Sequence, residues 1–174
     1  MLTDVLVACT AVGRTLLVTS ADAENARALA EPLGVEVIAD PGRGQGDAVA
    51  AGLVRAGQGP VLVVNSDLPC ATPRDLLALL GAMPAGGMAL VRAADGTTNA
   101  LALAAAWLFA PLYGPGSAER FVDRARRLGI EAVEVDLPNL ADDVDEIADL
   151  ERIESRVGSW TETSLAALRT PLGR

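Results

Sequence analysis

The sequence predicts an α/β fold, a single domain built on a mostly parallel sheet with helices on both faces. Short apolar runs alternate along the chain with longer stretches of helical spacing. The most apolar run, VLVV at 61–64, has no polar alternation, as expected of a strand covered on both faces. It ends on Asn65-Ser66-Asp67-Leu68-Pro69, where Pro69 has no N–H to continue a ladder. In open α/β sheets ligands bind outside the carboxyl ends of the strands. Asp67 is therefore expected at the mouth of a site.

In order, residues 2, 5, 6 and 9 are apolar and predict a helix over Leu2–Ala11, with Gly13 as its cap. TLLVT at 15–19 is a strand. Ser20 or Asp22 caps a helix over 23–33 that Gly34 ends, and Val35–Ile38 is the next strand. A glycine-rich loop at 40–47 precedes a helix over 48–56. After the strand at 61–65 comes a helix from Pro73 to Met83. Strands at 88–92 and 100–103 flank the polar break Gly96-Thr97-Thr98-Asn99. Gly114-Pro115-Gly116-Ser117 turns into a helix over 118–128. A strand at 131–135 is followed by the acidic loop Asp142-Asp143-Val144-Asp145 and a helix to Arg156. One more helix is expected near Ser164–Leu168. The 174 residues fit one domain, with no repeat and no long linker.

Composition removes whole classes of chemistry. The chain has no His and no Lys, so all 14 positive charges are Arg. Imidazole triads, Schiff-base lysines and Walker lysines are excluded. A net charge of -9 argues against a nucleic-acid binder, since phosphate neutralisation drives such binding. No apolar run reaches the length of a bilayer span, and Asp4 without a cationic start is unlike a signal peptide. Cys9 and Cys70 stand apart from any CxxC, and two reduced thiols place the protein in the cytoplasm. Carboxylates, Arg, hydroxyls, backbone amides and a hard cation are what remain.

Four constellations can carry chemistry. Asp67 and the pair Asp143/Asp145 sit in loops next to strand ends, where magnesium would bridge carboxylates and phosphates, although acids there also suit the next helix dipole. Gly114-Pro115-Gly116-Ser117 opens a helix whose free N–H groups suit an anion, and an ordinary turn with an N-cap explains it as well. Thr97, Thr98 and Asn99 offer hydroxyls and an amide for an acidic oxygen, unless they serve a hairpin turn. The Gly42–Asp47 loop suits a base or ribose but fails both the Walker and the GxGxxG patterns.

Taken together, the order of glycine-rich loop, SDLP, TTNAL, YGPGS and DDVDEIADL resembles the guanylyltransferases of deazaflavin coenzyme biosynthesis. That resemblance implies a nucleotide-diphospho-sugar-transferase-like fold. It also implies a reaction joining GTP to phosphoenolpyruvate or 2-phospho-L-lactate with release of pyrophosphate. By the same resemblance Asp67 and Asp143 would hold Mg2+ with Asp145 in support. Thr98, Gly114 and Ser117 would hold the acceptor, and Gly42, Gly44 and Asp47 would lie near the guanine.

The resemblance departs at two places. Gln45-Gly46-Asp47 stands where the family usually carries Leu-Asn. The strand and basic phosphate loop that open the family's fold have no counterpart before Leu2, so either the natural start lies upstream, the favoured expectation, or the chain is a degraded relative; as written it predicts a slot in the sheet and weak GTP turnover. Another nucleotidyltransferase of the same fold, or a non-catalytic relative that self-associates over open sheet edges, are the competing readings.

Overall fold

The computed structural model describes residues 1–169. Its first half runs α1 (Leu2–Thr10), β1 (Leu16–Thr19), α2 (Glu24–Ala30), β2 (Glu36–Ala39), α3 (Gln45–Ala56) and β3 (Val61–Val64). The second half runs α4 (Pro73–Ala82), β4 (Met88–Arg92), β5 (Thr98–Leu103), α5 (Ser117–Leu128), β6 (Ala132–Glu134), α6 (Pro138–Ala141), α7 (Ile147–Ile153) and α8 (Ser159–Arg169). The α/β class is as expected. β1 and β2 pair in parallel, while the larger sheet has the order β3-β5-β4-β6. Within it β3, β4 and β6 share one direction and β5 runs against them.

Period-two alternation splits the core into two layers. Ala89, Val91, Ala100 and Ala102 face one side of the sheet, where they meet Val5 and Ala8 of α1 and Leu76 and Leu79 of α4. Met88, Leu90, Leu101 and Leu103 face the other side and pack on Phe121 and Ala125 of α5. All six residues of β5 are buried, which makes this strand the centre of the molecule. Helices thus cover both faces.

Several boundaries differ from expectation for local reasons. The hairpin between β4 and β5 is tighter than the polar stretch suggested. Asp95 Oδ1 accepts from the Thr97 N–H at 2.8 Å, and the Ala93 N–H reaches the Thr97 carbonyl at 3.0 Å. Thr98 and Asn99 are consequently the first residues of β5 rather than loop. Helix α3 begins at Gln45, because the Gly44 carbonyl accepts from the Asp47 and Ala48 N–H groups, each at 3.1 Å. The short α6, which periodicity missed, starts with Pro138 at its first position.

The sheet is split where the sequence predicts a slot. β1 pairs with β2 alone and β3 with β5 alone. A cavity of about 940 Å³ lies between them, lined by every residue of both strands, by Val5 and Cys9 of α1, and by Val49 of α3. All four residues of β3 are only partly covered, and no residue of α3 is buried. An uninterrupted VLVV strand is written for burial on both faces. Here one of its edges stays open.

Candidate active site

β3 and β5 bring the acids together. The Asn65 N–H extends the β3–β5 ladder by bonding the Asn99 carbonyl at 2.9 Å, which delivers Asp67 just beyond the end of the strand. The Val144 N–H then bonds the Asp67 carbonyl at 3.1 Å, so the acidic loop is tied directly to this residue. Burial pushes the Asp67 carboxyl above the ordinary carboxylate range, and the like charges of Asp143 and Asp145 push it further. Burial also raises Asp143, against a side-chain hydrogen bond from Asn99. Asp67 Oδ1 is buried without a hydrogen-bond partner.

An orphaned carboxylate oxygen beside like charges is what a cation would relieve. Among the described residues no three His, Cys, Asp or Glu side chains converge closely enough to form a metal cage. The orphaned Asp67 oxygen suits a hard cation, and a magnesium ion there would be held by one or two carboxylates plus substrate oxygens and water. Asp142 takes no part. It is held by Arg152 at 2.5 Å and by Arg156.

The residues expected to hold the acceptor also meet. Ser117 Oγ donates to Thr98 Oγ1 at 3.1 Å across 19 residues of chain, and the Ser117 N–H bonds the Gly114 carbonyl at 2.9 Å. Thr98 and Ser117 are only 1% and 0% exposed, so their hydroxyls form a floor beneath the Gly114–Gly116 turn.

The glycine-rich loop is arranged differently from a bare cradle. Gly44 caps α3 and Gly42 closes a turn on Asp40, whose Oδ1 accepts the Gly42 N–H at 2.8 Å. Asp47 is engaged by Arg43 at 2.7 Å, so its carboxylate is already matched.

Three amide side chains join these parts: Asn99, a candidate from the sequence, and Gln45 and Asn65, which the sequence does not mark as site residues. Gln45 Nε2 donates to Asn65 Oδ1 at 2.8 Å, and Asn65 Nδ2 donates to Asn99 Oδ1 at 3.3 Å. Asn99 Nδ2 in turn bonds the Ala141 carbonyl at 3.2 Å at the start of the acidic loop. The relay runs from the N-terminus of α3 to Asp143. Asn65 in front of the SDLP turn was the available signal, because an amide at the end of an apolar strand needs a partner.

A family model described as the MobA-like NTP transferase domain matches residues 1–128, about three quarters of the chain. This chain belongs to that family. Within it, the chain is 36% identical over 176 residues to a Nocardia farcinica protein named phosphoenolpyruvate guanylyltransferase, covering 95% of this chain and 76% of that protein. A protein of the same name from Streptomyces scabiei is 37% identical, covering 93% and 77%. This MobA-like chain also shares its fold with solved structures. A Desulfovibrio desulfuricans chain provisionally assigned as a nucleotide-diphospho-sugar transferase superposes with a TM-score of 0.60 at 17% identity, over 78% of this chain and 66% of that one. A hypothetical transferase from Thermus thermophilus gives 0.60 at 21% identity, over 86% and 85%. Among the described residues of this NTP transferase no helix is long and apolar enough to cross a membrane.

Proposed function

We propose that this nucleotidyltransferase joins GTP to phosphoenolpyruvate, releasing pyrophosphate, the guanylyl transfer of deazaflavin coenzyme biosynthesis. The observation that carries the reading is the start of β5. There Thr98 meets Ser117 under the glycine turn while its neighbour Asn99 reaches the acid loop. The candidate acceptor residues and the carboxylate pair are thereby joined through consecutive residues. The names of the relatives supply the acceptor, phosphoenolpyruvate ahead of 2-phospho-L-lactate.

In this reading an acceptor phosphate oxygen forms a bond to the α-phosphorus of GTP as the bond to the bridging β-phosphate oxygen breaks, and pyrophosphate leaves. A phosphate dianion is already a nucleophile, so a chain without His or Lys needs no general base. Asp67 and Asp143, with Asp145 adding charge nearby, would hold Mg2+, which when bound offsets negative charge on the phosphates. The turn at Gly114–Ser117 fixes the acceptor, and the Gln45–Asn65–Asn99 relay keeps the acids in register with the loop at Gly42–Asp47. Positioning and fixed dipoles then lower the barrier.

The test is a binding and turnover panel with magnesium, GTP, phosphoenolpyruvate, phospholactate and sugar phosphates, read by thermal shift and by 31P NMR. Phosphoenolpyruvate should stabilise the chain and appear in a guanylylated product. Stabilisation by a sugar phosphate alone would assign a different acceptor within the same family. The split sheet favours a second reading, in which the chain keeps the acceptor pocket without turning over. Phosphoenolpyruvate binding with no pyrophosphate release is its signature.

A further inference from the structure

Helix α5 carries an arginine that the functional reading leaves unused. Arg120 Nε donates to the Leu112 carbonyl at 3.1 Å. Its Nη2 donates to the carbonyls of Leu112 at 2.7 Å, Tyr113 at 3.1 Å and Gly114 at 3.2 Å, and its Nη1 to that of Pro115. Four consecutive carbonyls thus turn toward one guanidinium. One turn further along, Arg124 holds the preceding segment, bonding the carbonyls of Leu108 at 2.7 Å and Phe109 at 3.1 Å.

Peptide planarity gives this a consequence. In a trans peptide the C=O and the following N–H point to opposite sides. With the Tyr113 carbonyl on Arg120, the Gly114 N–H points away from it. With the Pro115 carbonyl on Arg120, the Gly116 N–H does the same. Neither amide finds an acceptor among the described residues. Both glycines have positive φ, +106° and +70°, which side-chain-bearing residues rarely adopt. A Cβ at either would lie within 4 Å of the Arg120 guanidinium, so Arg120 sits against this face of the turn.

We propose that Arg120 is a positioning residue of the acceptor site: it gathers the carbonyls of residues 112–115 and so presents the Gly114 and Gly116 amides to the acidic oxygens of the acceptor. It acts through the turn, because all three of its guanidinium nitrogens donate to backbone carbonyls. The cation behind the turn also offsets the carbonyl dipoles that would otherwise repel an anion. This rests on the acceptor reading above and adds the means by which the turn becomes anion-binding.

The experiment compares the full chain with Arg120→Ala, Arg120→Lys and Arg124→Met. Calorimetry reads phosphoenolpyruvate and GTP binding separately, and thermal unfolding reads stability. Arg120→Ala should weaken phosphoenolpyruvate by about tenfold or more, about 1.4 kcal/mol, while leaving GTP within about twofold. Methylguanidinium added to Arg120→Ala should restore part of the lost affinity. Arg120→Lys, with a point charge instead of a planar fork, should keep the fold and recover little. Arg124→Met should lower thermal stability without weakening phosphoenolpyruvate. Equal loss of both ligands, or phosphoenolpyruvate binding unchanged in Arg120→Ala, would overturn the proposal while leaving the acceptor reading intact. An unsubstituted chain that binds no phosphoenolpyruvate would overturn the acceptor reading and this inference with it.

Discussion

Asp67 is held in a setting that opposes its own charge. Its folded pKa is raised, first by burial and then by Asp143 and Asp145. The sign of the pH effect follows. Between the unfolded value near 3.8 and the higher folded value, the native chain keeps a proton that the unfolded chain has released. The ionised carboxylate therefore costs stability above the folded pKa, and that cost disappears as the pH falls below the unfolded value. Asp67→Asn should unfold at a higher temperature than the parent at pH 7, with the gap closing toward pH 4. On the proposed reading magnesium should stabilise the parent but not this variant, and the variant should have no transferase activity. A variant less stable than the parent at pH 7 would mean that the carboxylate is satisfied by the protein alone. Asn99 belongs to the same balance, since its hydrogen bond holds Asp143 down. Asn99→Ala should shift the acid limb of any pH–rate profile upward.

At the scale of elements, a contact between the two ends of the described chain shows how much the sequence hid. Asp4 reads as a charge near the start of an apolar helix, yet it is 6% exposed. Its carboxylate caps α8, accepting from the Trp160 N–H at 3.0 Å, the Thr161 N–H at 2.9 Å and Thr161 Oγ1 at 2.6 Å. Asp4→Ala removes that cap and strands the Thr161 hydroxyl, at a cost of about 1–3 kcal/mol. Hydrogen exchange should show α8 opening ahead of β5. Unchanged protection in α8 would show that the cap adds nothing. No local pattern announces a cap 157 residues away, and this is why the last helix was read as shorter than Ser159–Arg169. Local signals were legible where chemistry and sequence are adjacent. VLVV followed by a proline stop marks β3, and Gly34, in the left-handed conformation, closes the 3-10 turn Glu31–Leu33 that follows the shorter α2. The meeting of Thr98 with Ser117 followed only from resemblance, because spacing alone does not bring a strand start to a helix start. The amide relay was missed because each of its members is unremarkable until the others are placed.

The whole molecule carries two strand edges that face each other without pairing. β1 and β3 border a cavity of about 940 Å³ whose walls mix Leu and Val side chains with polar groups, Asp67 among them. The candidate acid Asp67 thus borders the least complete part of the core. Unpaired strand edges recruit other strands. The described chain should therefore enhance the fluorescence of a hydrophobic dye and should self-associate as its concentration rises, in light scattering after gel filtration. Val49→Glu, on the α3 wall of the cavity, should reduce both signals without touching the Thr98–Ser117 pair. Because Asp67 lies on the cavity wall, closing the slot should also reach the chemistry. A peptide or fusion that supplies an extended apolar strand should suppress the dye signal and raise GTP turnover together. If turnover is already at the level of the longer relatives while the dye still binds, the slot is independent of the donor side. If the protein is monomeric and dye-silent at all concentrations, the two edges are protected in solution, and the split sheet places no limit on catalysis.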